Sequence, residues 1–158
     1  MADYSTIKGF TVQTLASDPY ASAGASGTWA SGGAMNTARK QFSGAGTQTA
    51  TITAGGVTGG PSGTHGTATE TYNGSAWTEV ADMNTGRRNM MGNSGTTTSQ
   101  IVAGGKTSGV LANSESWNGT AWTETADVNT AREQAGGGGT STAAFFANGY
   151  VYNSPYPA

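Results

Sequence analysis

The 18 residues Glu70–Arg87 (ETYNGSAWTEVADMNTGR) lie over Glu115–Arg132 (ESWNGTAWTETADVNTAR) without a gap, 45 residues apart and identical at 12 of 18 positions. A chain that repeats itself this closely builds its core by stacking similar units, because one short unit cannot bury its own apolar face. A shorter third copy lies upstream, where Trp29–Arg39 (WASGGAMNTAR) keeps the ten-residue step from Trp to Arg and precedes the next copy by 48 residues. A second landmark runs between these: Gly55-Gly56 after Thr51-Ile52-Thr53, Gly104-Gly105 after Ile101-Val102, and a degenerate Asn148-Gly149 after Phe145-Phe146. The period is therefore 44 to 49 residues.

Within one period the local signals are for strand. Asn73-Gly74 and Asn118-Gly119 separate short alternating runs rich in Thr, Val, Tyr and Trp, a hairpin signal in which both turn residues are expected at φ > 0. No 11-residue window carries a clean 3.6-residue apolar period, so no long helix is expected. Four strands per period are predicted. The first covers Gln41–Gln48, Met90–Thr98 and Gln134–Thr142, and the second covers Thr49–Gly56, Ser99–Gly105 and Ala143–Gly149. The third covers Thr67–Tyr72 and Ala112–Trp117, and the fourth starts at Trp29, Trp77 and Trp122. Four antiparallel strands at this period are the pattern of a β-propeller blade.

Composition removes several alternatives. Of 158 residues 26 are glycine and 16 are charged, against ordinary shares of about 7% and about 25%. Collagen needs glycine at every third position, which is absent. Seven Lys+Arg with a net charge of -2 cannot build the basic face that nucleic acid needs, so no nucleic-acid partner is expected. With no cysteine, disulfides and cysteine-held metals are excluded. The longest apolar run, Ala143–Ala147, is far short of the roughly 20 residues of a membrane helix, and the opening MADYSTIKGF has no basic and apolar leader. Neither membrane insertion nor a signal peptide is expected.

The repeat resembles the kelch repeat: a Gly-Gly doublet closing a strand, an aromatic before a tight turn, a tryptophan five residues later, then an apolar residue and an arginine. Here these are Gly104-Gly105, Trp117, Trp122, Val128 and Arg132, and in the preceding copy Gly55-Gly56, Tyr72, Trp77, Met83 and Arg87. The aspartate that usually follows the aromatic is Asn73 or Asn118 here. The flavour of the repeat, W-T-E-x-A-D-x-N-T-x-R in a Thr/Ala/Gly/Asn-rich and nearly uncharged frame, is similar to kelch-like repeats in virion proteins of tailed, especially aquatic, bacteriophages. The leader STIKGFTVQTLASDP also looks like segments that precede such repeats in phage tail-associated proteins. The expected organisation is an attachment segment at 1–26, a repeat region at 27–149 and a tail at 150–158. The expected fold is all-β, about three four-stranded kelch-like blades. Eleven strands are counted, with Thr6–Leu15 as a possible twelfth, and closed propellers have about four to eight blades. The ring is therefore expected to close between two copies of the chain as six blades, with a three-chain assembly of incomplete or separate fans as the alternative.

Most of the repeated residues read as framework: Trp29, Trp77 and Trp122 as core between units, Gly55, Gly56, Gly104 and Gly105 as strand ends, and Tyr72 and Trp117 as hairpin partners. Arg39, Arg87 and Arg132 need partners when packed in so uncharged a chain, and Glu70, Glu115 or strand-end carbonyls are the candidates, with an arginine ring facing an anionic ligand as the alternative. Asp82 and Asp127, each two residues before Asn84 or Asn129, read as turn residues bonding nearby amides ahead of a cation site. Gly105-Lys106-Thr107 lacks the earlier glycine of a phosphate loop. His65 has no repeated partner for a hydrolytic triad. No catalytic residue, metal or cofactor is assigned, and an enzyme is not expected. Two connections differ in length and sequence inside the repeating frame, Val57–Gly66 and Lys106–Leu111, and such variation is where a scaffold carries binding. Thr58, Ser62, Thr64, His65, Lys106, Thr107 and Ser108 are the candidate ligand residues. The resemblance implies a non-enzymatic virion protein, tail or fiber associated, contacting other virion proteins and a host-surface glycan. It would be made in the host cytoplasm. The alternative is a cellular or secreted kelch-type module binding a protein or glycan.

Overall fold

The computed structural model describes residues 32–60 and 63–151, with nothing stated of the side chains of 91–93. Trp29, Ser62, the segment Thr6–Leu15 and residues 152–158 lie outside the described residues. The described chain is all-β, without helix, in four antiparallel sheets of two to four strands. None of the sheets closes on itself.

The first four-stranded sheet has the order β1 (Ser43–Thr47), β2 (Ala50–Ala54), β5 (Thr69–Tyr72), β6 (Trp77–Val80). The second is a meander of β7 (Met91–Thr96), β8 (Ser99–Ala103), β9 (Ser114–Trp117) and β10 (Trp122–Thr125). The register repeats with the sequence, for Thr53 faces Glu70 in the first sheet as Val102 faces Glu115 in the second. A third, two-stranded sheet joins β11 (Gly136–Thr140) to β12 (Ala143–Ala147). The strands of these three sheets fall inside the spans expected from sequence but are shorter, and β2 and β8 stop at the left-handed glycines Gly55 and Gly104. Gly46, Gly95 and Gly139 sit at φ 118, 127 and 104, one residue before the last pair of each opening hairpin. Their need for glycine comes both from that positive φ and from close approach of the paired strand, because a Cβ there would clash with the carbonyl oxygens of Ala50, Ser99 and Ala143.

Two sequence expectations are corrected. Val57–Gly66 is not a plain loop, since β3 (Val57–Thr58) and β4 (Thr64–His65) pair as a ribbon between β2 and β5. The Asn-Gly hairpins do not place both turn residues at φ > 0. Only Gly74 and Gly119 do, both at φ 94. The asparagine side chain takes the other part of the turn: Asn73 Oδ1 accepts the Ser75 and Ala76 amides and Asn118 Oδ1 those of Thr120 and Ala121, all at 2.9 Å. A four-residue connection with an Asx bond replaces the two-residue turn.

The core lies between the first two sheets, where Ile52, Ala54, Met83, Met90, Val102, Trp117 and Trp122 form one buried cluster. A smaller one joins Ala103 and Ala135, with Val128 and Phe146 packed against it. Within each hairpin the aromatics meet at 5.0 Å for Tyr72–Trp77 and 5.5 Å for Trp117–Trp122. Trp122 reaches across, donating Nε1–H to Thr69 Oγ1 of the first sheet at 3.0 Å, and is buried, whereas Trp77 is half-buried.

Candidate functional site

The arginine of each repeat stands three residues after an asparagine and two after a threonine, and Arg87 sits at the seam between the first sheet and the second. After the first sheet, the backbone N–H groups of Asn84 and Thr85 donate to Glu115 Oε2 and Oε1 at 2.7 and 3.1 Å, Asn84 Nδ2 adds a bond at 3.0 Å, and the Arg87 guanidinium closes an ion pair at 2.6 Å. Arg87 also donates to the carbonyls of Gly104 and Asn113, so its charge and its fork are both used. One copy earlier the arrangement recurs: Asn36 and Thr37 amides hold Glu70 at 2.7 and 3.1 Å, Arg39 pairs with the same carboxylate, and Arg39 donates to Gly55 O and Ala68 O. Both carboxylates and the Arg87 side chain are fully buried.

The two alternatives for the arginines, carboxylate or strand-end carbonyl, are thus realised together. A buried carboxylate held by two amides and a guanidinium is the arrangement that can persist away from water, because both oxygens are met by donors and the charge by a counter-charge. Burial by itself pushes the Glu70 carboxyl up, but the Asn36 amide, the Arg39 hydrogen bond, the Thr37 amide and the Arg39 charge together outweigh it and hold the group below its usual range. Asn84 bonds across the seam to Glu115 and to Trp122 O, and Asp82 accepts from Thr67 at 2.9 Å. The expected local bonding of these turn residues is therefore replaced by bonding between neighbouring strands and sheets. Among the described residues no cluster of three potential metal ligands exists.

The third copy differs. Arg132 keeps the local bonds, Nε to Thr130 O at 3.3 Å and an amine nitrogen to Asn148 O at 2.7 Å, but no described carboxylate reaches it. An open cleft lined by Asp127, Val128, Asn129, Thr130, Arg132 and Phe146 lies there. The degenerate doublet preserves the backbone, since Asn148 stands at φ 66 where Gly55 and Gly104 stand at 67 and 57.

Of the candidate loop residues, Thr58, Thr64 and His65 lie on the β3–β4 ribbon, and His65 Nε2 is buried without a hydrogen-bond partner. Lys106 is tied into the framework, its ammonium 3.3 Å from Glu133 Oε1, and Thr107 closes a turn on Gly109. Ser108 lines a shallow depression with Lys106, Gly109 and Val110.

Sequence reasoning missed a line of residues along the opening strands. Gln41, Asn89 and Gln134 all have positive φ, 59, 51 and 56, and their backbones link in series, Asn89 N–H to Gln41 O and Gln134 N–H to Asn89 O. Beside them Glu133 accepts from Asn89 Nδ2 at 2.7 Å. The signal was present: two residues after each repeat arginine stands Gln, Asn or Gln, types that tolerate left-handed backbone or bond locally. No protein-family model matches the chain, and no curated protein is significantly similar to it.

Proposed function

We propose that the repeating sheets are kelch-like β-propeller blades and that the chain is a non-enzymatic structural protein of a tailed-phage virion. It would work as a rigid frame that displays the β3–β4 ribbon and the Lys106–Leu111 connection toward other virion proteins or a host-surface glycan. The observation that carries the reading is the equivalence of the seams. Two antiparallel sheets share one strand order, apart from the inserted ribbon, and the third strand of each carries a glutamate held by the same pattern of amides and guanidinium from the N-T-x-R segment that precedes the sheet. Units that bond to the next in one fixed way stack with a constant rotation, which is what a propeller requires. Among the described residues no strand pairs the outer edge of β12, which supports assembly from two or three copies, because an exposed edge is a template for pairing. Many equivalent displayed loops would then gain avidity from multivalency.

Proteomic analysis of purified particles of the phage that encodes the chain tests the virion reading: detection in multiple copies per particle supports it, and absence from intact particles overturns it. Light scattering tests the assembly. A mass of two or three times 15.8 kDa is expected, and a stable monomer would contradict ring closure between chains.

A further inference from the structure

We infer that Asn129, Thr130 and Arg132 form an open carboxylate receptor whose ligand is the glutamate of a β-hairpin of this chain's own repeat type, added as the next antiparallel strand on β12. The two preceding copies define what such a site takes. In each, the Asn and Thr amides and the arginine converge on one glutamate in the third strand of the following sheet: Glu70 opposite Thr53, Glu115 opposite Val102. By the same register the incoming glutamate lies opposite Phe146, which lines the open cleft with the receptor residues. The backbone is set for it as well. Arg39 and Arg87 each donate to a carbonyl two residues before their glutamate, and the Gly55 and Gly104 amides donate to that same carbonyl. Asn148 holds the same left-handed φ as those glycines and already accepts the Arg132 bond that Gly55 and Gly104 accept from theirs.

The strand that would receive the hairpin is bare. Ile52 and Ala54 of β2 and Ala103 of β8 are completely covered, while in β12 Phe145, which matches Ile52, is 62% exposed and Ala147, which matches Ala54 and Ala103, is also exposed. Asp127 in the cleft is compatible with a bound carboxylate, since Asp82 stands at the same step of the motif, two residues before Asn84, and the receptor there holds Glu115. A bare phosphate or a free carboxylic acid fits less well than a hairpin, because it supplies the charge without the strand that β12 lacks. The inference needs only the repeat and not ring closure, so its failure and that of the assembly proposed above are separately observable.

The test titrates the full-length protein with a fluorescein-labelled peptide of residues 112–125 (ANSESWNGTAWTET), following anisotropy and the amide NMR signals of Asn129 and Thr130. Saturable binding that moves both amides is expected. The peptide carrying Glu115→Gln should bind at least about tenfold more weakly, as should the wild-type peptide to Arg132→Gln protein, because a charge-assisted bond is lost. No saturable binding up to millimolar peptide overturns the inference, as does binding that the Glu115→Gln peptide retains within about twofold. Should Arg132→Gln protein fail to fold, the peptide change on wild-type protein decides alone.

Discussion

The seam between the first two sheets and the region around β11 and β12 carry the same sequence motif, N-T-x-R, and reach different ends. At Asn84–Arg87 the motif holds a buried glutamate on β9, a strand paired on both sides; at Asn129–Arg132 the arginine has only carbonyls among the described residues, and no described strand pairs the outer edge of β12 beside it. The motif is thus a socket and the glutamate a plug borne by the following unit. What distinguishes a structural ion pair from a docking site here is whether the next unit is in place.

The largest effect that sharpens this contrast is expected at the filled socket. Removing one partner leaves a buried charge unanswered, so Arg87→Ala should lose about 3–5 kcal/mol of stability in urea unfolding. Arg132→Ala should lose less than about 1 kcal/mol, as for an exposed charge. Equal losses would break the comparison. Next, Trp122→Ala should cost about 3–5 kcal/mol, more than Trp77→Ala, because Trp122 is buried across the seam and bonded to Thr69 while Trp77 is half-buried. Thermal melts of the two variants rank them.

Smaller effects follow from backbone conformation. Gly104→Ala puts a side chain at φ 57 and should cost at least about 1–2 kcal/mol, whereas Asn148→Gly at φ 66 should be neutral or slightly stabilising. The smallest is a pH dependence. Because the folded state holds Glu70 ionised below its usual range, it binds fewer protons than the unfolded chain there, and its stabilisation is present above the unfolded carboxylate pKa of about 4.3 and is lost as pH falls through the folded value. Denaturation midpoints from neutral to acid pH should fall less steeply for Glu70→Gln than for the wild type.

How much of this was legible in the sequence depends on whether the information was local. The strands, their boundaries to within a few residues and the hairpin at Asn73-Gly74 were readable, because alternation and turn chemistry act over a handful of residues. The pairing of Arg87 with Glu115 could be named as a candidate from the repeat but not chosen over carbonyl partners, since the two stand 28 positions apart and meet only in the fold. The β3–β4 ribbon was invisible because its pairing spans just two residues on each side, too short for a pattern. The positive φ of Gln41, Asn89 and Gln134 went unread because non-glycine residues rarely adopt it and only the bonds between neighbouring sheets hold them there. The openness of the third socket follows from which strands are paired, which no local pattern reports.

The account stands on the socket binding its glutamate as a unit, and a double-mutant cycle of Arg87→Gln and Glu115→Gln measures that most directly. Unfolding free energies of the two single variants and the double variant should give a coupling of about 1–3 kcal/mol, since both partners lie in one buried network. Effects that add to within about 0.5 kcal/mol would show that arginine and glutamate act independently and would contradict it.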